Sequence, residues 1–196
     1  MDAVDFYFDF MSPYSYLAHS QLGTLGAPIR FVPISVLPLM KLVNNTPTTL
    51  LCEVKRNYAG KDLLRWVARY GVPYRPGNLS RLDRALLLQV VTVAEDVQTK
   101  ATATDAIFNA VWGGSGDASP EGLEGLLSTR GLAGAALIAA AQREAAAEAL
   151  TAATQAAADD GVFGAPTLRV GAELFFGNDR LDFVREAIAR TGENAA

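Results

Sequence analysis

The sequence predicts an α/β protein in which strands from both ends of the chain form one small sheet and a long helical segment lies between them. Three observations support this prediction. Residues 4–10 and 29–32 have the pattern of strands, and a helical pattern separates them. Helical signals then dominate from about residue 35 to residue 160. After residue 161 the pattern changes to two short strands and a final helix.

The N-terminal part predicts a strand, a helix and a second strand. Residues 4–10 alternate apolar and aromatic side chains with acidic ones, which is typical of a strand. Pro13 fits the first turn of a helix, where its missing N–H has no partner to lose, and Gly23 and Gly26 end that helix. The second strand is residues 29–32. Because such crossovers are right-handed, we expect the two strands to be parallel neighbours.

The middle of the chain is predicted to be helical. Residues 48–70 carry apolar residues at helical spacing, and residues 81–100 and 101–112 predict two further helices. Ser119, followed by proline and glutamate, is typical of the start of a helix. Residues 133–158 are rich in alanine, which suits closely packed helices.

The C-terminal part returns to strand signals. Thr167–Val170 and Glu173–Phe176 predict a hairpin around Gly171 and Ala172. Residues 179–190 predict a final amphipathic helix with its apolar face turned inward.

This order of elements is that of the thioredoxin fold with a helical insertion. We predict that residues 1–34 and 161–196 form a thioredoxin-like domain with an α/β sheet. Residues 35–160 are predicted to form an inserted all-helical domain after the first strand-helix-strand unit.

Composition excludes several classes of protein. The chain has 196 residues and a net charge of −4, so no basic field favours nucleic acid. The most apolar window, residues 132–141, is too short to span a membrane, and the N-terminus lacks the pattern of a secretory signal. The one cysteine, Cys52, excludes an internal disulfide and is expected to be a buried helical residue. We therefore expect a cytoplasmic protein that binds neither nucleic acid nor membrane.

The residues after the first strand are the first candidate site. In a redox enzyme with the thioredoxin fold this place carries Cys-x-x-Cys at the start of a helix, whereas this chain has Ser12-Pro13-Tyr14-Ser15. A helix N-terminus stabilises a thiolate, so the loss of both cysteines indicates that the sulfur belongs to a ligand, with glutathione as the leading candidate. The Ser12 hydroxyl can donate a hydrogen bond to that sulfur. Taken alone, Ser12 is more typical of a serine that only caps the helix.

Two other polar residues of this helix are expected to be structural. Ser15 falls in the first turn and suits a small packing residue. His19 has no acid or nucleophile placed to act with it, so we expect a surface or packing histidine rather than a catalytic base.

Ala165 and Pro166 form the second candidate site, at the entrance to the strand that begins with Thr167. In thioredoxin-like folds a cis-proline loop lies beside the helix that bears the redox motif. The backbone of the residue before this proline, here Ala165, pairs in strand fashion with the cysteinyl unit of the ligand. The alternative is an ordinary trans proline that opens a strand.

Asn178 and Asp179 form the third candidate site. Asp179 is placed to cap the last helix, and the two side chains could hold the α-amine and carboxylate of a γ-glutamyl group. The alternative is a capping aspartate beside an exposed asparagine.

Four segments together resemble one family. They read FYFDFMSPYSYL at residues 6–17, FNAVWG at 108–113, GVFGAPT at 161–167 and FGNDRL at 176–181. In combination they resemble the 2-hydroxychromene-2-carboxylate isomerases and are similar to their sister group, the kappa-class glutathione transferases. The resemblance covers nearly the whole chain.

The resemblance implies which residues hold glutathione: Ser12, Pro13, Tyr14, Asn44, Ala165, Pro166, Asn178 and Asp179. Among these, Ser12 would be the catalytic serine that contacts the glutathione sulfur. Asn44 would lie near the glycyl end, with Asn45 as the alternative if the register slips. Ala165, Asn178 and Asp179 would bind the peptide and γ-glutamyl portions.

The function implied is a glutathione-dependent cis–trans isomerase of aromatic catabolism. It would interconvert 2-hydroxychromene-2-carboxylate and trans-o-hydroxybenzylidenepyruvate by thiolate addition, bond rotation and elimination. A kappa-like transferase or peroxidase and a non-catalytic thioredoxin-fold binding module are the alternatives. The partners implied are glutathione, a small aromatic carboxylate and a second copy of the chain in a homodimer. The candidates for the cation that binds the substrate carboxylate are Lys41, Lys55, Arg56, Lys61 and Arg84.

Overall fold

The sheet is built from both ends of the chain, as the sequence predicts. A computed structural model describes residues 3–193. Its strands are β1 (Val4–Phe8), β2 (Ile29–Pro33), β3 (Thr167–Val170) and β4 (Glu173–Phe176), in the spatial order β2-β1-β3-β4. β1 is parallel to β2 and antiparallel to β3, and β3 and β4 form the hairpin. The predicted parallel pair and hairpin are therefore confirmed, and the fold is α/β and thioredoxin-like.

The helices lie mostly between β2 and β3. The α-helices of the described residues are α1 (Pro13–His19), α2 (Val36–Leu42), α3 (Thr48–Leu51), α4 (Glu53–Tyr70), α5 (Arg84–Val93), α6 (Val97–Phe108), α7 (Leu123–Ser128), α8 (Gly134–Ala141), α9 (Glu144–Asp159) and α10 (Leu181–Glu193). The helical insertion is thus where the sequence places it, while its exact division at residues 35 and 160 stays a prediction. Within residues 3–193, no helix has both the length and the apolar character needed to cross a bilayer.

Two predicted helix boundaries were wrong. The sequence predicts helices at residues 81–100 and 101–112, but the chain breaks at residues 94–96, between α5 and α6. The reason is Asp96, whose carboxylate accepts a hydrogen bond from the backbone N–H of Thr99 at 2.8 Å and so caps α6. The first backbone N–H groups of a helix have no partner within that helix, and Asp96 supplies one. A new helix can therefore begin here although the apolar spacing of the sequence continues across this point.

The predictions for Cys52 and Ser119 also need correction. The predicted helix at residues 48–70 divides at Cys52, which takes an extended conformation between α3 and α4. Because it lies at this break, Cys52 is partly exposed and is not the buried helical residue expected. The Ser119 hydroxyl accepts a hydrogen bond from the backbone N–H of Gly122 at 3.3 Å within a turn, and α7 begins only at Leu123.

An aromatic cluster forms the centre of the core. Phe6, Phe8 and Phe10 are fully buried at the β1 side of the sheet. Phe108, from the end of α6, packs against Phe10 with ring centroids 4.7 Å apart and against Phe8 at 5.5 Å. Burying a phenylalanine side chain stabilises the fold by about 1.5–3 kcal/mol. These contacts hold the helical insertion against the strand that leads to Ser12.

Two hydrogen bonds attach the helical insertion to the region around α1. Trp112 follows α6 in a π-helical turn, and its Nε1 donates to the carbonyl oxygen of Phe10 at 2.8 Å in a buried contact. The hydroxyl of Tyr16 donates to the carbonyl oxygen of Pro73 at 2.6 Å. Phe10 is two residues before Ser12, so the insertion helps to fix the loop from which α1 begins.

A chain of charges joins three strands of the sheet. Asp5 on β1 is buried and forms ion pairs with Arg30 on β2 at 2.5 Å and with Arg169 on β3 at 2.6 Å. Arg169 also pairs with Asp160 at 2.6 Å. Because Asp5 satisfies both guanidinium groups, it fixes the register of β2 and β3 against β1.

His19 packs among aromatic rings, as expected for a packing histidine. Its ring centroid lies 5.1 Å from that of Phe108 and 6.2 Å from that of Phe31. Burial among these rings disfavours the charged imidazolium and lowers the pKa of His19 from 6.5 to about 4, against a smaller opposing effect of Asp105.

This lowered pKa predicts a loss of stability in mild acid. Between pH 6.5 and 4 the unfolded chain binds a proton at His19 that the folded chain does not, so stability falls as the pH falls. We expect this residue to lower the free energy of unfolding by about 1 kcal/mol between pH 7 and pH 5.5. Urea unfolding at the two pH values, for the native chain and His19→Leu, measures the difference. An unchanged pH slope in His19→Leu would contradict the prediction.

Candidate functional site

Ser12 connects the start of α1 to the loop that precedes β3. As the N-cap of α1, its Oγ accepts a hydrogen bond from the backbone N–H of Ser15 at 3.1 Å. The same hydroxyl donates to the carbonyl oxygen of Ala165 at 3.2 Å. Ser12 is therefore a helix cap, and it also lies against the second candidate site. Pro13 and Tyr14 form the first turn of α1 beside it.

The loop before β3 contains a cis peptide bond and is fixed by two hydrogen bonds. The peptide bond between Ala165 and Pro166 is cis, which answers the question that the sequence left open. The carbonyl oxygen of Pro166 accepts a hydrogen bond from the backbone N–H of Gly177 at 2.9 Å. The hydroxyl of Thr167 donates to the carbonyl oxygen of Gly164 at 2.8 Å. These bonds place the Ala165 backbone next to Ser12 and next to the turn that contains Asn178.

Asn45, rather than Asn44, reaches this loop. Asn45 Nδ2 donates to the carbonyl oxygen of Phe163, two residues before Ala165, at 2.9 Å. Asn44 is exposed after α2, with a φ of 54°. Asparagine tolerates this left-handed conformation better than most residues, so Asn44 serves as the turn that ends α2. The structure thus brings Asn45 to the loop before β3, and the role of Asn44 or Asn45 in binding stays a prediction.

The turn with Asn178 and Asp179 packs against α1. Asn178 is buried rather than exposed, and its Nδ2 has no hydrogen-bond partner among the described residues. The backbone carbonyl oxygen of Asn178 accepts a hydrogen bond from the hydroxyl of Tyr70 at 2.7 Å. A buried amide without a partner is unusual and indicates a position where a ligand or water supplies the acceptor.

Asp179 does not begin the last helix as predicted. It lies in a 3₁₀ turn, Asn178–Arg180, and α10 starts after it at Leu181. The Asp179 carboxylate instead pairs with Arg180 at 2.5 Å. Gly177 permits this turn because its φ is 106°, a conformation that few other residues adopt.

A polar cavity of about 190 Å³ opens beside Asn178. It is lined by acidic and basic side chains from α4, the 3₁₀ turn and α10, including Arg69, Asp179, Asp182 and Arg185. Paired carboxylates and guanidinium groups suit a ligand that bears both an ammonium and a carboxylate. The sequence did not indicate Arg69 and Arg185 as candidate binding residues. They come from α4 and α10, which are far apart in the chain and meet only in the folded protein.

A second cavity, of about 500 Å³, is lined by residues of α1, α3 and α4 and has almost entirely apolar walls. Its lining residues are Tyr14, Thr49, Val54, Lys55, Tyr58 and Ala59. The hydroxyl of Tyr14 donates to the carbonyl oxygen of Ala59 at 3.1 Å, which joins α1 to α4 along its floor. We call this the apolar cavity.

Asp9 is a residue of this region that the sequence reasoning missed. It is buried just before Ser12, and its carboxylate accepts hydrogen bonds from the backbone N–H groups of Met11 at 2.8 Å and Val36 at 3.0 Å. Burial raises the pKa of Asp9, although both hydrogen bonds oppose the shift. By binding the loop before α1 to the start of α2, Asp9 fixes the backbone from which Ser12 extends. Its acidic residue type within a strand pattern was the available signal.

Ser15 behaves as a structural residue. It is fully buried in α1, and its Oγ has no hydrogen-bond partner within residues 3–193. It lies on the buried side of α1, with Tyr16, Leu17 and Ala18.

Comparison with known proteins places these features in a family. The model of the DSBA-like thioredoxin domain matches residues 3–189. The chain is 35% identical over 194 residues to 2-hydroxychromene-2-carboxylate isomerase of Pseudomonas putida, covering 95% of this chain and 94% of the relative.

Two further comparisons agree with this. A solved structure of 2-hydroxychromene-2-carboxylate isomerase superposes with a TM-score of 0.87 at 34% identity, covering 99% of this chain and 98% of the other. Glutathione S-transferase kappa 1 of Caenorhabditis elegans is 27% identical over 121 residues, covering 56% of this chain and 53% of the relative. The chain therefore belongs to the DsbA-like thioredoxin domain family and, within it, to the family of the 2-hydroxychromene-2-carboxylate isomerases.

Proposed function

We propose that this chain is a glutathione-dependent isomerase that interconverts 2-hydroxychromene-2-carboxylate and trans-o-hydroxybenzylidenepyruvate. The observation that supports it best is the Ser12 hydroxyl, which lies between the start of α1 and the Ala165 carbonyl, 3.2 Å from the latter. In this fold that place serves a reactive sulfur, and the chain has no cysteine there. The names of the relatives support the reaction.

The residues present fit glutathione. Asn178, whose buried Nδ2 has no partner among the described residues, lines the polar cavity together with Asp179, so the γ-glutamyl group would find an amide and a carboxylate there. The Ala165 backbone, beside the cis proline, would bind the cysteinyl unit in strand fashion. Asn44 or Asn45 would lie near the glycyl end.

Three parts of the chain would contribute to this chemistry: the Ser12 hydroxyl, the start of α1 and Tyr14. Bound glutathione would supply a thiolate that can add to the conjugated double bond of the substrate and, after rotation about the resulting single bond, leave again, so that the double bond is restored and the thiol regenerated. The Ser12 hydroxyl can turn from the Ala165 carbonyl and donate to an anionic sulfur, which favours the thiolate form. The positive end of α1 acts in the same direction. Tyr14, two residues after Ser12, lines the apolar cavity, whose walls suit an aromatic ring.

The test follows the ultraviolet spectrum of the substrate and the concentration of free thiol together. We expect isomerisation to require glutathione and the thiol concentration to remain constant, because glutathione is regenerated. Turnover at full rate without glutathione would contradict the proposal.

A kappa-like transferase is the second candidate, favoured by the match to the nematode kappa enzyme. It would use the same cofactor site but consume glutathione. Loss of one thiol per turnover with an electrophilic arene would therefore favour the transferase. Absence of any heat of binding with glutathione would favour a non-catalytic module instead.

The assembly and location of the protein follow from the same proposal. We propose a cytoplasmic homodimer, in line with the reducing environment in which glutathione is abundant. Gel filtration combined with light scattering tests the dimer.

A further inference from the structure

We propose that Lys55 binds the carboxylate of the substrate and thereby makes the apolar cavity selective for aromatic carboxylates over neutral aromatic compounds. The inference rests on the proposed function, because that function supplies the conjugated aromatic acid. It goes further by assigning one of five candidate cations to one cavity.

The apolar cavity borders α1, the helix that Ser12 caps. Tyr14 is two residues after Ser12 in the first turn of α1, and its ring lines the cavity. The hydrogen bond from its hydroxyl to Ala59 fixes this ring against α4. Tyr14 thus connects the first turn of α1, which follows Ser12, to the apolar cavity.

The walls of the apolar cavity are too exposed to be explained by core packing. The side chains of Val54 and Tyr58 are 78% and 63% exposed. They lie four residues apart on α4, so they share one face of that helix. Large apolar side chains exposed together beside a candidate site indicate a surface that a ligand covers. A flat aromatic ring matches such a surface.

Lys55 supplies the charge that this surface otherwise lacks. Of the described residues that line the apolar cavity, Lys55 alone is charged. It lies three residues before Tyr58, so its ammonium group stands on the same face of α4 as the apolar wall. The hydroxyl of Tyr14 is already donated to Ala59, and the hydroxyls of Thr49 and Tyr58 are neutral, so the ammonium group of Lys55 is the strongest partner that these walls offer an anion. Low polarity nearby strengthens the attraction between opposite charges relative to water.

The other candidate cations do not line this cavity. Among the described residues, Lys41, Arg56, Lys61 and Arg84 are absent from its walls. Lys61 is also on α4, but it is six residues after Lys55 and therefore faces a different side of the helix. This makes Lys61 a matched control, since its replacement removes the same charge from the same helix.

The experiment measures binding and turnover in Lys55→Gln, Lys55→Arg and Lys61→Gln. Calorimetry with trans-o-hydroxybenzylidenepyruvate, in the absence of glutathione, measures the affinity for the carboxylate. The same titration with benzylideneacetone, which has a conjugated ketone but no carboxylate, measures the contribution of the ring. Circular dichroism confirms folding, which an exposed residue of α4 should not disturb.

We expect Lys55→Gln to weaken binding of the carboxylate about tenfold and to change binding of the neutral ketone by less than about twofold. Lys55→Arg should restore most of the affinity, and Lys61→Gln should match the native chain. Equal affinities of Lys55→Gln and the native chain for the carboxylate would overturn the assignment, as would equal losses in Lys55→Gln and Lys61→Gln. If binding depends on Lys55 but glutathione-dependent turnover is absent, the proposed function fails and the carboxylate site stands.

Discussion

Replacement of Ser12 by alanine is expected to lower kcat/KM for the glutathione-dependent isomerisation by about 10- to 100-fold, because a hydrogen bond to a charged sulfur is lost. The structure places this hydroxyl at the start of α1, within 3.2 Å of the Ala165 carbonyl, where the cysteinyl unit would bind. Loss of the donor should also raise the pKa of the bound thiol, since its anion is less well stabilised. The ultraviolet absorbance of the thiolate, titrated with pH in the complex, measures this directly.

The Ser12 experiment needs a control because Ser12 also caps α1. Removal of the cap acceptor for Ser15 should destabilise the fold by about 1 kcal/mol, which is a structural effect distinct from the chemistry. Ser12→Thr keeps both the acceptor and the donor, so it should retain activity within about threefold of the native chain. A native rate and a native thiol pKa in Ser12→Ala would show that the serine is only a cap.

Replacement of Asp5 by alanine is expected to lower the free energy of unfolding by about 3 kcal/mol, the largest stability effect that we predict. Asp5 is buried with a side chain only 7% exposed, and it pairs with both Arg30 and Arg169. Without Asp5, the half-buried guanidinium of Arg169 keeps only its ion pair with Asp160 and its contact with the Tyr7 ring. The estimate is at the lower end of the usual range because the Arg30 side chain is 60% exposed and can be hydrated. Urea unfolding at neutral pH measures the change.

Asp160 is the matched control for Asp5. It pairs with the same Arg169 at 2.6 Å, but its side chain is 43% exposed. We expect Asp160→Asn to lower the free energy of unfolding by less than about 1 kcal/mol, as is usual for an exposed pair. Similar losses in the two variants would mean that burial of Asp5 does not determine its contribution.

The sequence was sufficient for the sheet because strand patterns are local. Alternation in residues 4–10 and the turn at Gly171 predict β1, β3 and β4, and handedness predicts the parallel partner β2. Helix boundaries were harder, since apolar spacing continues across Asp96 and Cys52. A single capping carboxylate or one extended residue divides a helix without changing the period of its apolar residues.

The candidate site was predictable as three separate motifs but not as an arrangement. Ser12 and Ala165 are 153 residues apart, and the contact between them follows from the pairing of β1 with β3. The sequence could not distinguish Asn44 from Asn45, because the difference depends on which side chain points toward Phe163. The charge at Lys55 was visible, but the apolar cavity is lined by residues of three helices, α1, α3 and α4, which become adjacent only on folding.

The hydrogen bond from the Trp112 indole to the Phe10 carbonyl predicts how the protein unfolds on heating. Since this buried contact joins the inserted helices to the loop that follows β1 and leads to Ser12, neither part can unfold without exposing the other. Heating should therefore produce a single cooperative transition, with tryptophan fluorescence and far-ultraviolet dichroism changing at the same temperature. A shortened chain without the insertion is not expected to keep the candidate site, because the loop that carries Ser12 is held by a residue about a hundred positions away in the chain.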